Sequence, residues 1–188
     1  MGDRRERPPR IEVVVGDITK QHVDAVVNAA NSSLRGGGGV DGAIHAAAGP
    51  ALLEECNRIR RTTHPDGLPV GEAVVTGAGD LPVRCVVHTV GPNRRRGQTD
   101  PALLAAAFAT SLKAAAAAGA RSVAFPAVSS GAFGWQMADV AGIAVGAVRE
   151  VLRKGEAPGV EEVRFVLVDE RAAGAFRHAL AGMPPEWA

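Results

Sequence analysis

The chain has 188 residues, a length that suits one domain, and 46% of them are hydrophobic against 22% charged, the balance of a globular protein with a real core. Lys and Arg number 21 and Asp and Glu 20, so the net charge of +1 excludes the broadly basic surface that non-specific nucleic-acid binding needs. No apolar run approaches the roughly 20 residues that cross a bilayer, so neither a spanning helix nor a membrane partner is expected.

The opening MGDRRERPPR is charged and proline-rich with no apolar stretch behind it, so residues 1–10 are expected to form a flexible tail rather than a signal peptide. Met1-Gly2-Asp3 begins like a myristoylation signal, but Glu6 stands where Ser or Thr is needed. Two valine-rich runs follow, IEVVVG (11–16) and DAVVNAA (24–30), and both read as strands. Gly16-Asp17-Ile18-Thr19 lies between them; Asp17 either caps the turn ITKQHV or serves a site, and the segment alone decides neither.

The second run leads into NAANSSLRGGGGVDGAIH, residues 28–45. Glycines 36–39 carry no Cβ, so their N–H groups can approach a ligand closely. A helix is expected to begin near Val40, turning its unpaired N–H groups and positive dipole end toward the loop, an arrangement that suits a diphosphate. A floppy surface loop is the plainer reading, but a glycine run joining a strand to a helix start is costly to keep idle. Asp41 can favour the helix dipole and Asn31 can be a turn residue. Paired across the loop, the amide orients sugar hydroxyls and the carboxylate orients or activates water. His45 shares a helical face with Asp41 and reads as a packed helper. The dinucleotide fingerprint is absent, because Glu54 and Glu55 fall in a helical pattern instead of at a second strand's tip, and no Gly-Lys-Ser/Thr makes a P-loop.

Further strands are expected at EAVVTGA (72–78) and RCVVHTV (84–90), and the RRR at 94–96 reads as a solvated loop between Pro92 and Pro101. Asp100-Pro101 starts a helix whose stripe is Leu104, Phe108 and Leu112, and Gly119 stops it. SVAFPAV (122–128) is a strand leading into Ser129-Ser130-Gly131-Ala132-Phe133-Gly134, a small-residue loop that offers N–H groups to phosphate oxygens. Phe133 either closes over a sugar ring or plugs the core. Met137, Val140, Ala144, Val148 and Val151 form a second helical stripe ending at Gly155. VRFVLVD (163–169) is the last strand, and Asp169 caps a helix that buries Phe176 and Leu180. Cys56 and Cys85 have no metal spacing and read as reduced structural thiols, which suits a reducing cytoplasm. Alternating strands and helices imply a mostly parallel sheet between helices, with ligands at the strands' carboxyl edge. One domain is expected over 11–182, with 183–188 as a second tail. Nothing suggests an obligate interface, so a monomer is expected, and the Ala, Arg and Gly richness hints at a GC-rich bacterial source.

The ordered set GDIT, DAVVNAANSSLRGGGGVDGAIHAAAGP, LPVGEAVVTGAGDLP, VVHTVGP and SVAFPAVSSGAFG resembles the macrodomains, and within them the MacroD-type branch of ADP-ribosyl hydrolases and O-acetyl-ADP-ribose deacetylases. The likeness runs from about residue 11 to about residue 180. It implies a three-layer α/β/α sandwich around a six-stranded mixed, mostly parallel sheet, with neither metal nor cofactor. By motif position it implies that Asp17 accepts from the adenine amino group beside the Ile18 backbone. Asn31 would hold the distal ribose, while Gly37, Gly38, Gly39 and Val40 line that ribose and the diphosphate. Ser129, Ser130, Gly131, Ala132 and Phe133 would wrap the diphosphate, with Phe133 against the distal ribose, and Asp41 would position or activate the attacking water. The partners implied are ADP-ribose with ADP-ribosylated proteins or O-acetyl-ADP-ribose, and the reaction is cleavage of an ester on the distal ribose.

A non-catalytic reader of ADP-ribose and a phosphatase of ADP-ribose 1″-phosphate are the rival readings. Readers often lack the Asn31–Asp41 pair, which favours an enzyme. The chain departs from the family pattern in three places. It has no tyrosine, so the adenine face is left to Phe165 or to nothing aromatic; Ala46 replaces a frequent basic residue; and Thr62–Pro69 is long and polar enough to alter a rim of the site.

Overall fold

Valine-rich strands flanked by alanine-rich helices assemble in the computed structural model, which describes residues 7–182, into a sheet covered on both faces. The strands are β1 (Arg10–Val15), β2 (Ala25–Ala30), β3 (Ala73–Thr76), β4 (Cys85–Val90), β5 (Ser122–Phe125) and β6 (Glu162–Leu167). The helices are α1 (Gly39–Ala48), α2 (Pro50–Arg61), α3 (Pro101–Ala117), α4 (Met137–Arg153) and α5 (Glu170–Ala181). The sheet order is β1-β6-β5-β2-β4-β3, parallel throughout except for the antiparallel edge strand β3. This is the mixed, mostly parallel six-stranded sheet expected from sequence. The expected tails at 1–10 and 183–188 lie largely outside the described residues, and β1 begins at Arg10, inside the first of them.

Because successive strand residues point to opposite faces, each strand feeds two cores. Val27, Val87, Phe125 and Phe165 join Leu104, Phe108, Val140, Val148 and Phe176 under α3, α4 and α5. Val26, Val86, Ala124 and Val166 face Ile44, Ala48 and Leu52 of α1 and α2. Phe108, Phe125, Phe165 and Phe176 stack in series at centroid separations of 5.6, 5.9 and 4.9 Å, tying α3 to α5 through the sheet. Phe165 is therefore a fully buried core residue and cannot meet an adenine.

Helix ends follow the sequence signals. The Asp100 carboxylate accepts the Ala102 N–H beneath Pro101, and the Asp169 carboxylate accepts that of Ala172. Gly119 sits at φ 83 just past α3 and Gly155 at φ 67 just past α4. On α5, Phe176 is buried, while Leu180 is only half-buried. The RRR segment is a 3-10 turn, Arg94–Arg96, on the surface. Glu55 is structural: its carboxylate accepts the Gly77 N–H at 2.6 Å.

One strand is shorter than its apolar run. SVAFPAV pairs only through Phe125, because Pro126 has no N–H to donate to a ladder. The β2–β5 ladder covers just Ala25–Val26 against Val123–Ala124, so the sheet opens between these strands toward their carboxyl ends. Loops from both sides of that gap meet there, the place where open α/β sheets take ligands.

Candidate active site

A cavity of about 820 Å³ occupies this carboxyl edge. It is lined by Asp17 and Ile18 after β1, Asn31 after β2, Gly37, Gly38, Gly39, Val40 and Asp41 at the start of α1, and Ser129, Ser130, Gly131, Ala132 and Phe133 after β5. Residues scattered over more than a hundred positions of sequence thus share one wall.

Asp17 does cap its turn: Oδ1 accepts both the Thr19 N–H at 2.9 Å and the Thr19 hydroxyl at 2.6 Å. These bonds hold its carboxyl below the usual carboxylate range. Its second oxygen makes no bond to a described residue, so the cap leaves one acceptor at the cavity. Ile18 beside it is buried.

The glycine loop is shaped by what its residues lack. A Cβ on Gly42 would stand 2.5 Å from the Gly37 carbonyl oxygen, so the first turn of α1 is seated directly on the loop. A Cβ on Gly37 would lie 3.2 Å from Asp41 Oδ2 and 3.4 Å from Asn31 Nδ2, so carboxylate and amide flank the same glycine. Asn31 is fixed there by donating to the Gly36 carbonyl at 3.1 Å and by accepting from the Ser33 hydroxyl. Gly39 starts the helix at φ 57, a left-handed conformation suited to glycine. The N–H groups of Gly39, Val40 and Asp41 belong to the first helical turn and have no intrahelical acceptor.

Asp41 is 5% exposed. Its Oδ1 accepts from Asn28 Nδ2 at 2.8 Å and lies 3.5 Å from His45 Nε2. Burial pushes its carboxyl above the ordinary range, opposed by the Asn28 hydrogen bond and by the charge of His45. Such a carboxylate is a stronger proton acceptor than an exposed one and is aimed rather than mobile, two properties that suit a general base.

The loop after β5 turns through Ser129, which adopts φ 69 although it is not glycine. Its hydroxyl donates to the Pro92 carbonyl at 2.9 Å, which also accepts from Trp135 Nε1 at 3.1 Å. Any side chain on Gly91 would overlap Ser129 Oγ and Val128 Cγ1. Ser129 therefore presents backbone, not hydroxyl, to the cavity. Ser130 and Gly134 spend their N–H groups on the turn, whereas those of Gly131, Ala132 and Phe133 donate to no described residue. Phe133 lies half-buried on the cavity wall, outside the core.

Several contributors escape a reading of sequence. Gly91 lines the cavity and makes room for Ser129, and Val166 and Val168 of the last strand and its exit supply an apolar wall near Asp17 and Ile18. Val168 is 78% exposed, the largest exposure among the big apolar residues described. Asn28 sits in the apolar run of β2 and reads there as one more core position. Thr62–Pro69 does not itself line the cavity. It packs behind the Asn31–Gly36 loop instead, Leu68 N–H donating to the Ser32 carbonyl at 3.0 Å.

Comparison with known proteins places this geometry in a family. A family profile described as Macro domain matches residues 27–144. The O-acetyl-ADP-ribose deacetylase of Escherichia coli K12 is 52% identical over 172 residues, covering 91% of this chain and 95% of the relative. The chain belongs to the macrodomain family. A macro domain-containing protein of Streptomyces nogalater is 53% identical over 170 residues, 90% of this chain and 91% of that protein. Among solved structures, the Oceanobacillus iheyensis macrodomain with ADP superposes at a TM-score of 0.86 with 38% identity, covering 93% and 91% of the two chains. A Trypanosoma brucei macrodomain in complex with ADP-ribose gives 0.81 at 35% identity, covering 90% of this macrodomain and 68% of that chain.

Proposed function

We propose that this macrodomain binds ADP-ribose along the carboxyl edge of its sheet and hydrolyses an ester on the distal ribose, either in O-acetyl-ADP-ribose or in mono-ADP-ribose joined to a protein Glu or Asp. The observation that carries the reading is the pairing of a buried, hydrogen-bonded Asp41 carboxylate with the Asn31 amide across Gly37, on the wall of a cavity rich in unspent N–H groups. The 52% identity to a relative named O-acetyl-ADP-ribose deacetylase supports it.

Adenine lies between Ile18 and the Val166–Val168 wall, with its amino group donating to Asp17. The N–H groups of the glycine loop and of Gly131–Phe133, with the dipole of α1 behind the first set, meet the diphosphate without a cationic side chain. Asn31 and Phe133 fix the distal ribose. Asp41 takes a proton from a water whose oxygen attacks the ester carbonyl carbon; the bond from that carbon to the ribose oxygen breaks, and the departing oxygen takes the proton. Backbone donors stabilise the charge that develops on the carbonyl oxygen, and orientation of the water supplies much of the rate. The domain acts over residues 11–182 as a monomer, and its two free thiols suit the cytoplasm.

The test is release of ADP-ribose from glutamate-modified protein and of acetate from O-acetyl-ADP-ribose, alongside calorimetric titration with ADP-ribose. Asp41→Ala is expected to lower kcat by about a hundredfold or more, the usual scale for losing a general base, with a much smaller change in ADP-ribose affinity. Asn31→Ala should lower both. Tight binding without turnover of either ester would leave a reader or a phosphatase of ADP-ribose 1″-phosphate. No binding would end the functional reading.

A further inference from the structure

We propose that His88 is a positioning residue for this site: held by Thr76 with its proton on Nε2, it orients the Asn28 amide, and that amide holds the Asp41 carboxylate ionised and aimed at the cavity. The inference rests on Asp41 being the water-handling group.

The hydrogen positions follow from the heavy atoms. Thr76 Oγ1 lies 2.9 Å from the Gly77 carbonyl oxygen and 2.9 Å from His88 Nε2. The Asn28 amide nitrogen faces His88 Nδ1 at 3.2 Å, so a neutral imidazole that accepts there carries its proton on Nε2; Thr76 Oγ1 then accepts from Nε2–H and gives its own proton to the Gly77 carbonyl. The amide nitrogen has two hydrogens; one serves His88 and the other Asp41 Oδ1 at 2.8 Å. The Asn28 carbonyl oxygen is buried and has no partner among the described residues. The amide is thus oriented by the two lone pairs its nitrogen faces, not by anything its oxygen finds.

Asn28 and His88 are 0% exposed, so water cannot substitute for either bond. Burial drives the His88 pKa down to about 3, which keeps Nδ1 an acceptor over the range in which a carboxyl titrates. A reversed amide would set its oxygen against both the His88 lone pair and the carboxylate, and Asp41 would then keep its proton. The other groups around this chain come from α1 and α2. His45 faces Asp41 from its own helix at 3.5 Å. Cys56 approaches His88 Nε2 at 3.8 Å, its thiol pushed up to about 11 and so neutral. Asn31 meets Asp41 only across Gly37.

The first measurement is the 15N spectrum of the histidines in the whole chain. His88 protonated on Nε2 at neutral pH is expected, and protonation on Nδ1 would overturn the proposal. The second is the pH profile of kcat on glutamate-ADP-ribosylated protein for wild type, His88→Leu, Thr76→Val and His88→Gln, since Gln supplies both an acceptor and an N–H. His88→Leu and Thr76→Val should lower kcat at pH 7 by about tenfold, the scale of one lost hydrogen bond to a charged group, and move the acid limb to higher pH, with ADP-ribose Kd within about twofold. His88→Gln should stay within about threefold of wild type in kcat, because the bond is kept. An unmoved acid limb in folded His88→Leu would overturn the proposal. So would equal losses in all three variants with Kd rising in step, the mark of a packing role. A 13C titration of the Asp41 carboxyl in wild type and His88→Leu decides the same question without turnover. It does so even if the wild type cleaves nothing, an outcome that would sink the functional reading alone.

Discussion

A carboxylate as buried as Asp41 must be ionised to take a proton from water, yet its surroundings favour the protonated form. The folded-state pKa is raised, so below the unfolded value the carboxyl is protonated in both states and costs nothing. As pH rises through the folded pKa, the folded state must carry a charge that burial disfavours, and stability is lost. Asp41→Asn keeps an oxygen for Asn28 to donate to and removes that charge. It should stabilise the protein at pH 7 by about 1 kcal/mol, a rise in Tm of about 2–4 °C for a chain of this size. The gain should fade at acid pH. A melting temperature that is unchanged, or raised equally at pH 4, would show that Asp41 carries no such burden. Asp17 is the opposite case, an exposed carboxylate lowered by Thr19. Asp17→Ala should remove the cap and weaken ADP-ribose binding by about tenfold, the worth of one hydrogen bond to a charged group. Unchanged calorimetric affinity would take it out of the adenine site.

At the level of elements, the glycine loop and α1 form one unit, and two glycines in it predict outcomes that differ in stability. A side chain on Gly38 would meet nothing within 4 Å, and its backbone at φ −91 accepts any residue. Gly38→Val should therefore leave Tm within about 2 °C, since a surface change that disturbs no packing shifts stability by about half a kcal/mol, while crowding the diphosphate and weakening ADP-ribose binding by about tenfold. Gly42→Ala should disturb stability as well as binding. Alanine favours the helix by about 1 kcal/mol, but its methyl meets the Gly37 carbonyl and must push the loop out of place. Weakened ADP-ribose binding together with a lowered Tm is expected, and a variant more stable than wild type with normal affinity would show the loop to be pliable. The loop and the helix start were legible in sequence because glycine, Asn and Asp are costly where they serve no purpose. Asn28 and His88 were not, because each sits in a valine-rich strand run, where alternation says only that the position faces a core. Strand ends were legible to within a few residues. The run through Val128 misled because it stays apolar past Pro126, where the ladder must stop.

Across the whole molecule, the sheet that carries the site also contains an ionisable group that the fold holds neutral. His88 lies on β4, between β2 and the edge strand β3, fully buried, with a pKa lowered to about 3. Its unfolded value is about 6.5. Between these values the unfolded chain binds a proton that the folded protein does not, so stability rises with pH through this window. The contribution is complete above about pH 6.5 and is lost as pH falls toward 3. Glu150, Glu156 and Glu162, each lowered by ion pairs or hydrogen bonds with Lys or Arg, also lose their contribution in acid, but at pH values below the ordinary carboxylate range. The interval from pH 6.5 to 5 lies above the range of these glutamates, and because the raised Asp41 carboxyl acts there with the opposite sign, the difference between wild type and His88→Gln is what reports His88. Urea unfolding at half-unit steps should show the free energy of wild type falling relative to that of His88→Gln by about 1 kcal/mol per unit of decreasing pH there, the slope of one bound proton. His88→Gln has nothing to titrate and should remove that slope while keeping the bonds to Thr76 and Asn28. Parallel wild-type and His88→Gln curves over this interval would mean that His88 is not held neutral, and the orientation of the Asn28 amide would then need another cause.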